Sequence, residues 1–367
     1  MAWRSPLISL YLLASVACTP GMGQEEEIVL GKKRSEWLTI LKEHKETKFR
    51  RAAVVVLGVL GPRVKGVVDA LYDAVENDPD PEVRREIVLT VGRMGSEAKG
   101  AADVLGDVLK RDTAGAVREA AALTLAGKLN DQAFTQVFRL ADALKDPHPG
   151  TRAAAAEALK NLGEKAKIVL PKLTALAQDQ KADRFPRLYA IQMISKWGDD
   201  GTLKVLVGIF EDKEALTAVR HGALEGIGRL GDKAEPAIPV LARALSEKDV
   251  ELRRAAALAL CQVGDKVRDA WPAIKAAYRD GDNAVRNQVI RLTGSIGKDK
   301  EAVSLLAEAA EKDANLENRL AALQELGHLG STAMEALPTL SRLSAEDVRA
   351  SVREAALAAV SKIKGAP

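Results

Sequence analysis

The chain has 367 residues, 47% of them apolar, 29% charged and 4% aromatic, with a formal net charge of +3. So near-neutral a balance supplies no general attraction to nucleic acid or to anionic membranes. Two cysteines provide no disulfide framework, and abundant alanine with few aromatics suits close-packed helices better than a β-sandwich.

The amino terminus reads as a targeting signal. Arg4 gives a positive start, Leu7 to Ala17 is an apolar run too short for a stable span, and small residues follow. Residues 1–23 are therefore expected to be processed, with the protein exported to the periplasm, cell envelope or exterior and no transmembrane span in the mature form. Two routes stay open at this point. Ser15-Val16-Ala17 before Cys18 fits a small-x-small cleavage site, with Gly23 a second place to cut. It also approximates a lipobox, with Ser15 where leucine is usual, and that route would lipidate Cys18 and leave a lipid anchor. Residues 24–34, QEEEIVLGKKR, read as a short polar tether.

From Ser35 to Lys364 the chain repeats itself. Leu252 to Gly264, LRRAAALALCQVG, shows the unit, and the residues equivalent to Arg253 are Arg50, Arg84, Arg118, Arg152, Arg187, Arg220, Arg286, Arg319 and Arg353, 33 to 35 residues apart. A period of this size marks a stacked array, which grows without closing separate cores, so one repeat domain is expected over 35–364. Its opening helix carries Trp37, Ile40, Leu41 and His44 on one face. Beyond it the units read as ten helix pairs.

The second helix of each pair begins near the arginine. Three residues past it stand Ala53, Ala121, Ala155, Ala190, Ala223, Ala256, Ala322 and Ala356, with Ile87 and Val289 as exceptions. Small residues there let helices approach. Leu252, Ala256, Leu260 and Val263 make a stripe that only stacking buries. Gly61, Gly95, Gly163, Gly198, Gly231, Gly264, Gly297 and Gly330 stop these helices, as a left-handed terminal position requires. Leu129 and Lys364 break the rule, and the displaced Gly127 makes the third repeat irregular. Pro171, Pro239, Pro272 and Pro338 each lie eight residues after such a glycine, which predicts a break or bend in the first helix of those pairs.

An arginine at a helix start meets the positive end of the dipole and needs compensation. Six residues before it lie Asp78, Asp112, Asp146, Asp280, Asp313 and Asp347, with Glu214 and Glu247 in two further repeats; Lys181 and His44 depart. Acid in the turn and arginine at the helix start predict a ladder of bidentate ion pairs down the stack.

These motifs, LRRAAALALCQVG, VRHGALEGIGRLG, TRAAAAEALKNLG and the linker form GDKAEPAIPVLARAL, resemble HEAT repeats, particularly the short variety related to phycobilisome-lyase HEAT-like repeats. The resemblance implies an all-α fold, a right-handed α-solenoid of about ten antiparallel helix pairs with the second helices on the concave side. For function it is weak, because the family includes scaffolds, adaptors and a few enzymes.

Chemistry-bearing constellations give way to this frame. Gly226 to Gly231, GIGRLG, matches a dinucleotide fingerprint by letter but ends a helix where the fingerprint needs a preceding strand. Gly294-Ser295-Ile296-Gly297-Lys298 has the wrong length and context for a phosphate loop. His44, His148, His221 and His328 fall in separate repeats without ligand spacing, and no His-Glu dipeptide of the kind that binds iron in the HEAT-like deoxyhypusine hydroxylases is present. No cofactor or metal is expected. Lys160, Lys196, Arg229 and Arg291 are interrupted by Glu157 and Glu225, not the continuous basic stripe that nucleic acid requires.

Repeat 5, DRFPRLYAIQMISKWG, departs most from the pattern. One reading is that Leu188, Tyr189 and above all Trp197, which stands where several other repeats carry leucine or isoleucine, fill a locally wider gap between helices. The functional alternative makes Leu188, Tyr189, Gln192 and Lys196, with His221 and Glu225 in the next repeat, a candidate partner-binding patch. The expectation is a non-catalytic, exported scaffold or adaptor that binds a protein on the concave face. An enzyme or enzyme-maturation factor resembling the phycobilin lyases is the alternative.

Overall fold

A computed structural model describes residues 26–127, 129–198, 201–296 and 300–365. The processing signal, Cys18 and Gly297 lie outside the described residues. Within them the chain is helical throughout, apart from one hairpin of two-residue strands, β1 (Ile28–Val29) and β2 (Lys32–Lys33).

The hairpin corrects part of the tether expectation, because from Glu26 onward this segment is folded. Trp37 Nε1 donates to the Val29 carbonyl at 3.0 Å, and Arg34 pairs with Glu27 at 3.1 Å. Val29 is buried, whereas Ile28 and Leu30 face solvent. The alternation of a short strand, IV, tied to a tryptophan eight residues on, was hidden by the surrounding charges.

The described residues fall into two compact units, divided between Val169 and Leu170. The first contains α1 (Arg34–Glu43) with α2 (Thr47–Leu60), α3 (Val67–Asn77) with α4 (Pro81–Met94), α5 (Ala101–Arg111) with α6 (Gly115–Ala126), then α7 (Asn130–Ala133), α8 (Val137–Ala143) and α9 (Pro149–Leu162). In the second, the pairs are α10 (Leu170–Gln178) with α11 (Arg184–Trp197), α12 (Thr202–Glu211) with α13 (Thr217–Arg229), and α14 (Ile238–Ala244) with α15 (Val250–Val263). They continue with α16 (Trp271–Ala277) and α17 (Asn283–Ile296), α18 (Lys300–Lys312) and α19 (Leu316–Leu329), and α20 (Leu337–Glu346) and α21 (Ala350–Ile363). Within each unit every second helix packs on the next one, α2 on α4 on α6 and α11 on α13 on α15.

The alanine series is the contact line of that stacking. Ala53, Ala121, Ala155, Ala190, Ala223, Ala256, Ala322 and Ala356 are all fully buried, and so are their exceptions Ile87 and Val289. Apolar area removed from water contributes about 25 cal/mol per Å², and here no single repeat can bury its stripe without a neighbour.

Helix ends follow local chemistry. Gly61, Gly95, Gly163, Gly231, Gly264 and Gly330 have φ between +54° and +88°. Where their ψ is given it is extended, for example −150° at Gly264, which places them beyond the ordinary left-handed cap in a region that only glycine enters cheaply. Gly198, at φ −63°, is the exception, and its ideal Cβ would strike Thr202 Oγ1 at 1.8 Å, so there it is space that demands glycine.

The recurrent prolines sit just inside a new helix. A 3₁₀ segment such as Gly231–Ala237 precedes α14, and Pro239 is its second residue; Pro272 in α16 and Pro338 in α20 repeat the arrangement. The N–H of a first-turn residue has no acceptor within its own helix, so proline there loses no intrahelical hydrogen bond and fixes φ for the helix. The irregular third repeat also resolves. α6 stops at Gly127, and the following first helix is split into α7, a 3₁₀ turn at Phe134–Gln136, and α8.

Candidate binding face

Seven of the ten arginines, Arg50, Arg84, Arg118, Arg220, Arg253, Arg286 and Arg319, form the ladder, each reaching forward by one repeat to an acid. Arg50 Nε and Nη2 donate to the two carboxylate oxygens of Asp78 at 2.7 and 3.0 Å, while its Nη1 donates to the His44 carbonyl of its own turn at 2.9 Å. Arg84 and Arg118 hold Asp112 and Asp146 in the same bidentate way, with Nε contacts of 2.7 Å. In the second unit Arg253 and Arg286 hold Asp280 and Asp313 at 2.7 and 2.8 Å, and Arg319 pairs with Asp347.

Asp112 shows the three roles that such an aspartate can take. Asp112 accepts the Arg84 fork, its Oδ1 accepts from the Ala114 N–H at 2.8 Å to shape the turn, and its carbonyl accepts from Arg118 Nη1 at 2.8 Å. These charge-assisted bonds satisfy an otherwise costly buried guanidinium. Burial works to raise the Asp146 carboxyl, but hydrogen bonds from Arg118 and the His148 N–H outweigh it and leave it below the usual range. A second rung lies alongside at Arg254 and Asp282, whose carboxyl the Arg254 hydrogen bond helps pull down to about 2.

Repeats 4 to 6 depart from this pattern. Arg152 Nη1 donates to the Asp146 and Pro147 carbonyls, and its Nε is buried without a partner. Arg187 Nε donates to the Ala177 carbonyl at 3.1 Å. Glu214, expected as a ladder acid, is exposed instead, because the turn-shaping acid stands two residues earlier: Asp212 accepts from the Glu214 N–H at 3.0 Å. Asp179 does the same for Lys181 at 3.0 Å. Glu247 is a ladder acid as expected, shared by Arg220 at 2.7 Å and Lys213 at 2.6 Å, and the Lys213 hydrogen bond leads in holding its carboxyl below the usual range.

Beneath this interruption lies the repeat 5 patch. Leu188, Tyr189, Gln192 and Lys196 occupy the outward side of α11, and His221 and Glu225 that of α13, which packs directly on it. Gln192 and Lys196 are exposed; Leu188, Tyr189, His221 and Glu225 are half-buried. Glu225 approaches Arg229 at 3.5 Å. Leu188 leans over the next repeat at Gly222, whose ideal Cβ would sit 2.8 Å from the leucine Cδ2, so the glycine makes room for the leucine. Trp197 is 3% exposed and belongs to the core.

The glycines of GIGRLG are packing residues as well. An ideal Cβ on Gly226 would lie 2.4 Å from Ser195 Oγ, and one on Gly228 would lie 3.0 Å from the Ala259 Cα. Cys261 Sγ donates to the Gln288 carbonyl at 3.4 Å, and burial pushes the thiol up to about 12. Among the described residues no three His, Cys, Asp or Glu side chains gather to hold a metal ion, and no helix is long and apolar enough to cross a membrane.

A family model for HEAT repeats matches residues 35–126, 103–185, 180–261 and 238–326. The fold is similar to that of the karyopherin Kap121p bound to the extreme C-terminus of the protein phosphatase Cdc14p, at 12% identity and a TM-score of 0.52, covering 91% of this chain and 46% of that one. It is similar also to Kap95p in a structure with RanGDP, at 12% identity and a TM-score of 0.57, covering 90% and 51%. The chain thus spans about half the length of these solved structures, and at such identity the likeness concerns the fold alone. No curated protein matches the chain.

Proposed function

Because the chain belongs to the HEAT-repeat family, we propose that it is a non-catalytic, exported scaffold or adaptor that engages a protein partner on the exposed face of its second helices. The observation that carries this reading is the interruption at repeats 5 and 6. There Leu188 and Tyr189 stay half-exposed beside Gln192, Lys196, His221 and Glu225, on a face where most equivalent positions are small or charged. A tyrosine that offers its ring edge and hydroxyl at low entropic cost is a favoured interface anchor. Similar solved structures include a karyopherin bound to the C-terminus of another protein, which supports protein binding by this fold.

Export rests on the sequence of residues 1–23. Cell fractionation of the full chain is expected to place it outside the cytoplasm, and Cys18→Ser separates the two processing routes by loss of a lipid label. For binding, a photocrosslinker placed at Tyr189 in cells should capture one reproducible partner, and Tyr189→Ala should weaken the complex about 10-fold, the loss of one anchor. Capture of nonspecific neighbours alone, under several growth conditions, would count against the scaffold.

A further inference from the structure

The exposed face of the second helices has a different character in the first unit. Five residues past the ladder arginine stand Val55, Leu89 and Leu123, on the consecutive packed helices α2, α4 and α6. Leu123 is 45% exposed, and Val55 and Leu89 are half-buried. Packed helices lie roughly 8–10 Å apart, so the three side chains make an aliphatic ridge on the order of 20 Å long. Beside it, Gly58, Val59, Pro62, Arg93, Met94 and Glu97 line a depression of about 310 Å³ at the C-terminal ends of α2 and α4.

The charge beside the ridge is unbalanced over its first two repeats. Arg51 and Arg93 share the single carboxylate of Glu86, at 3.9 and 3.2 Å. The Arg51 Nε is buried without a hydrogen-bond partner, and exposed Arg85 makes no ion pair or hydrogen bond among the described residues. Glu97 is already held by Arg63 at 3.0 Å, and Glu119, in the next repeat, lies 3.5 Å from His148.

Resting on the scaffold reading above, we propose that this ridge docks an acidic protein segment whose aliphatic side chains recur about every 10 Å. Leucines on such a segment cover Val55, Leu89 and Leu123, and its carboxylates pair with the solvent-facing guanidinium nitrogens of Arg51 and Arg85. A basic segment is repelled by the same arginines. Nucleic acid would satisfy the charge but not the ridge, which offers aliphatic side chains where base stacking needs aromatic ones. A helix with leucine at every seventh residue advances about 10.5 Å between leucines and fits the spacing.

The test uses a fluorescently labelled helical peptide of that pattern with glutamate flanks, its twin with lysine for glutamate, and an oligo-dT strand, each titrated with the full chain by anisotropy. The glutamate peptide should bind, and the lysine twin should bind at least about 10-fold more weakly. Leu89→Asp and Arg85→Glu should each weaken the glutamate peptide about 10-fold, whereas Leu258→Asp in the second unit leaves it unchanged. Arg85 is exposed and unpaired, so its variant is expected to keep the wild-type melting curve and to isolate recognition from folding. No binding of the glutamate peptide, equal binding of the twin, or tighter binding of oligo-dT overturns the proposal. If the peptide binds but responds only to Tyr189→Ala, the scaffold reading survives and the assignment to the first unit fails.

Discussion

Five residues past the ladder arginine the first unit carries Val55, Leu89, Leu123 and Glu157, and the second carries Gln192, Glu225, Leu258, Arg291, Gln324 and Ala358. Three residues past the same arginine both units carry a fully buried residue, alanine in eight repeats of ten. The two positions lie about half a turn apart on one helix, and their contrast separates what stacking demands from what it leaves free. The buried position faces a neighbouring helix at fixed distance and tolerates little change. The exposed position meets no such constraint, so differences between the units accumulate there, and recognition is to be sought there.

The sharpest way to break this contrast is to attack the frame in both units. Asp112→Ala strands the buried Arg84 guanidinium and should cost about 3–5 kcal/mol in chemical denaturation, and Asp313→Ala strands the part-buried Arg286 and should cost somewhat less. Glu214→Ala, exposed and off the ladder, should stay within about 0.5 kcal/mol of wild type. Similar loss from Glu214→Ala would mean that the ladder runs through repeat 6 after all. A smaller effect comes from glycine. Gly226→Ala drives a methyl into Ser195 and Leu206 and should destabilise by about 1–3 kcal/mol. Gly208→Ala on α12 meets nothing within 4 Å and should stabilise by about 0.5–1 kcal/mol through helix propensity.

The smallest effect is on pH dependence. The carboxyls of Asp146 in the first unit and of Asp280, Asp313 and Asp347 in the second are all held below their ordinary value. A depressed folded pKa contributes stability that is present above the unfolded value, near about 4, and is lost as pH falls through the folded one. The melting temperature should therefore hold steady from neutral pH down to about 5 and fall below about 4. Asp146→Asn should flatten part of that fall; an unchanged acid limb in this variant would remove the rung from the account.

Much of the frame was legible because it repeats. One arginine proves little, but ten at 33 to 35 residue spacing fix the helix starts, the glycine stops and the presence of an acid partner. The direction of pairing was not legible, since Arg84 stands six residues after Asp78 and bonds that residue's carbonyl while its fork takes Asp112. Spacing along the chain cannot tell which repeat a flexible side chain reaches. The same blindness placed the acid of repeat 6 at Glu214, where the turn is shaped by Asp212. The candidate patch at repeat 5 was visible as a departure in residue type, yet the seat of Leu188 over Gly222 depends on how α11 and α13 pack. The ridge at Val55, Leu89 and Leu123 was not legible in the sequence, because valine and leucine at helical spacing read as core and only their exposure distinguishes them.

The most direct test of the central claim, that recognition lies on the exposed face of the second helices and not on the ladder or the first helices, is a photocrosslinking comparison at three positions in the full chain. Crosslinkers replace Leu89 on α4, Tyr189 on α11 and exposed Lys204 on α12. The account predicts specific protein adducts at Leu89 or Tyr189 and none at Lys204. A specific adduct at Lys204, with both second-helix positions silent, would contradict it.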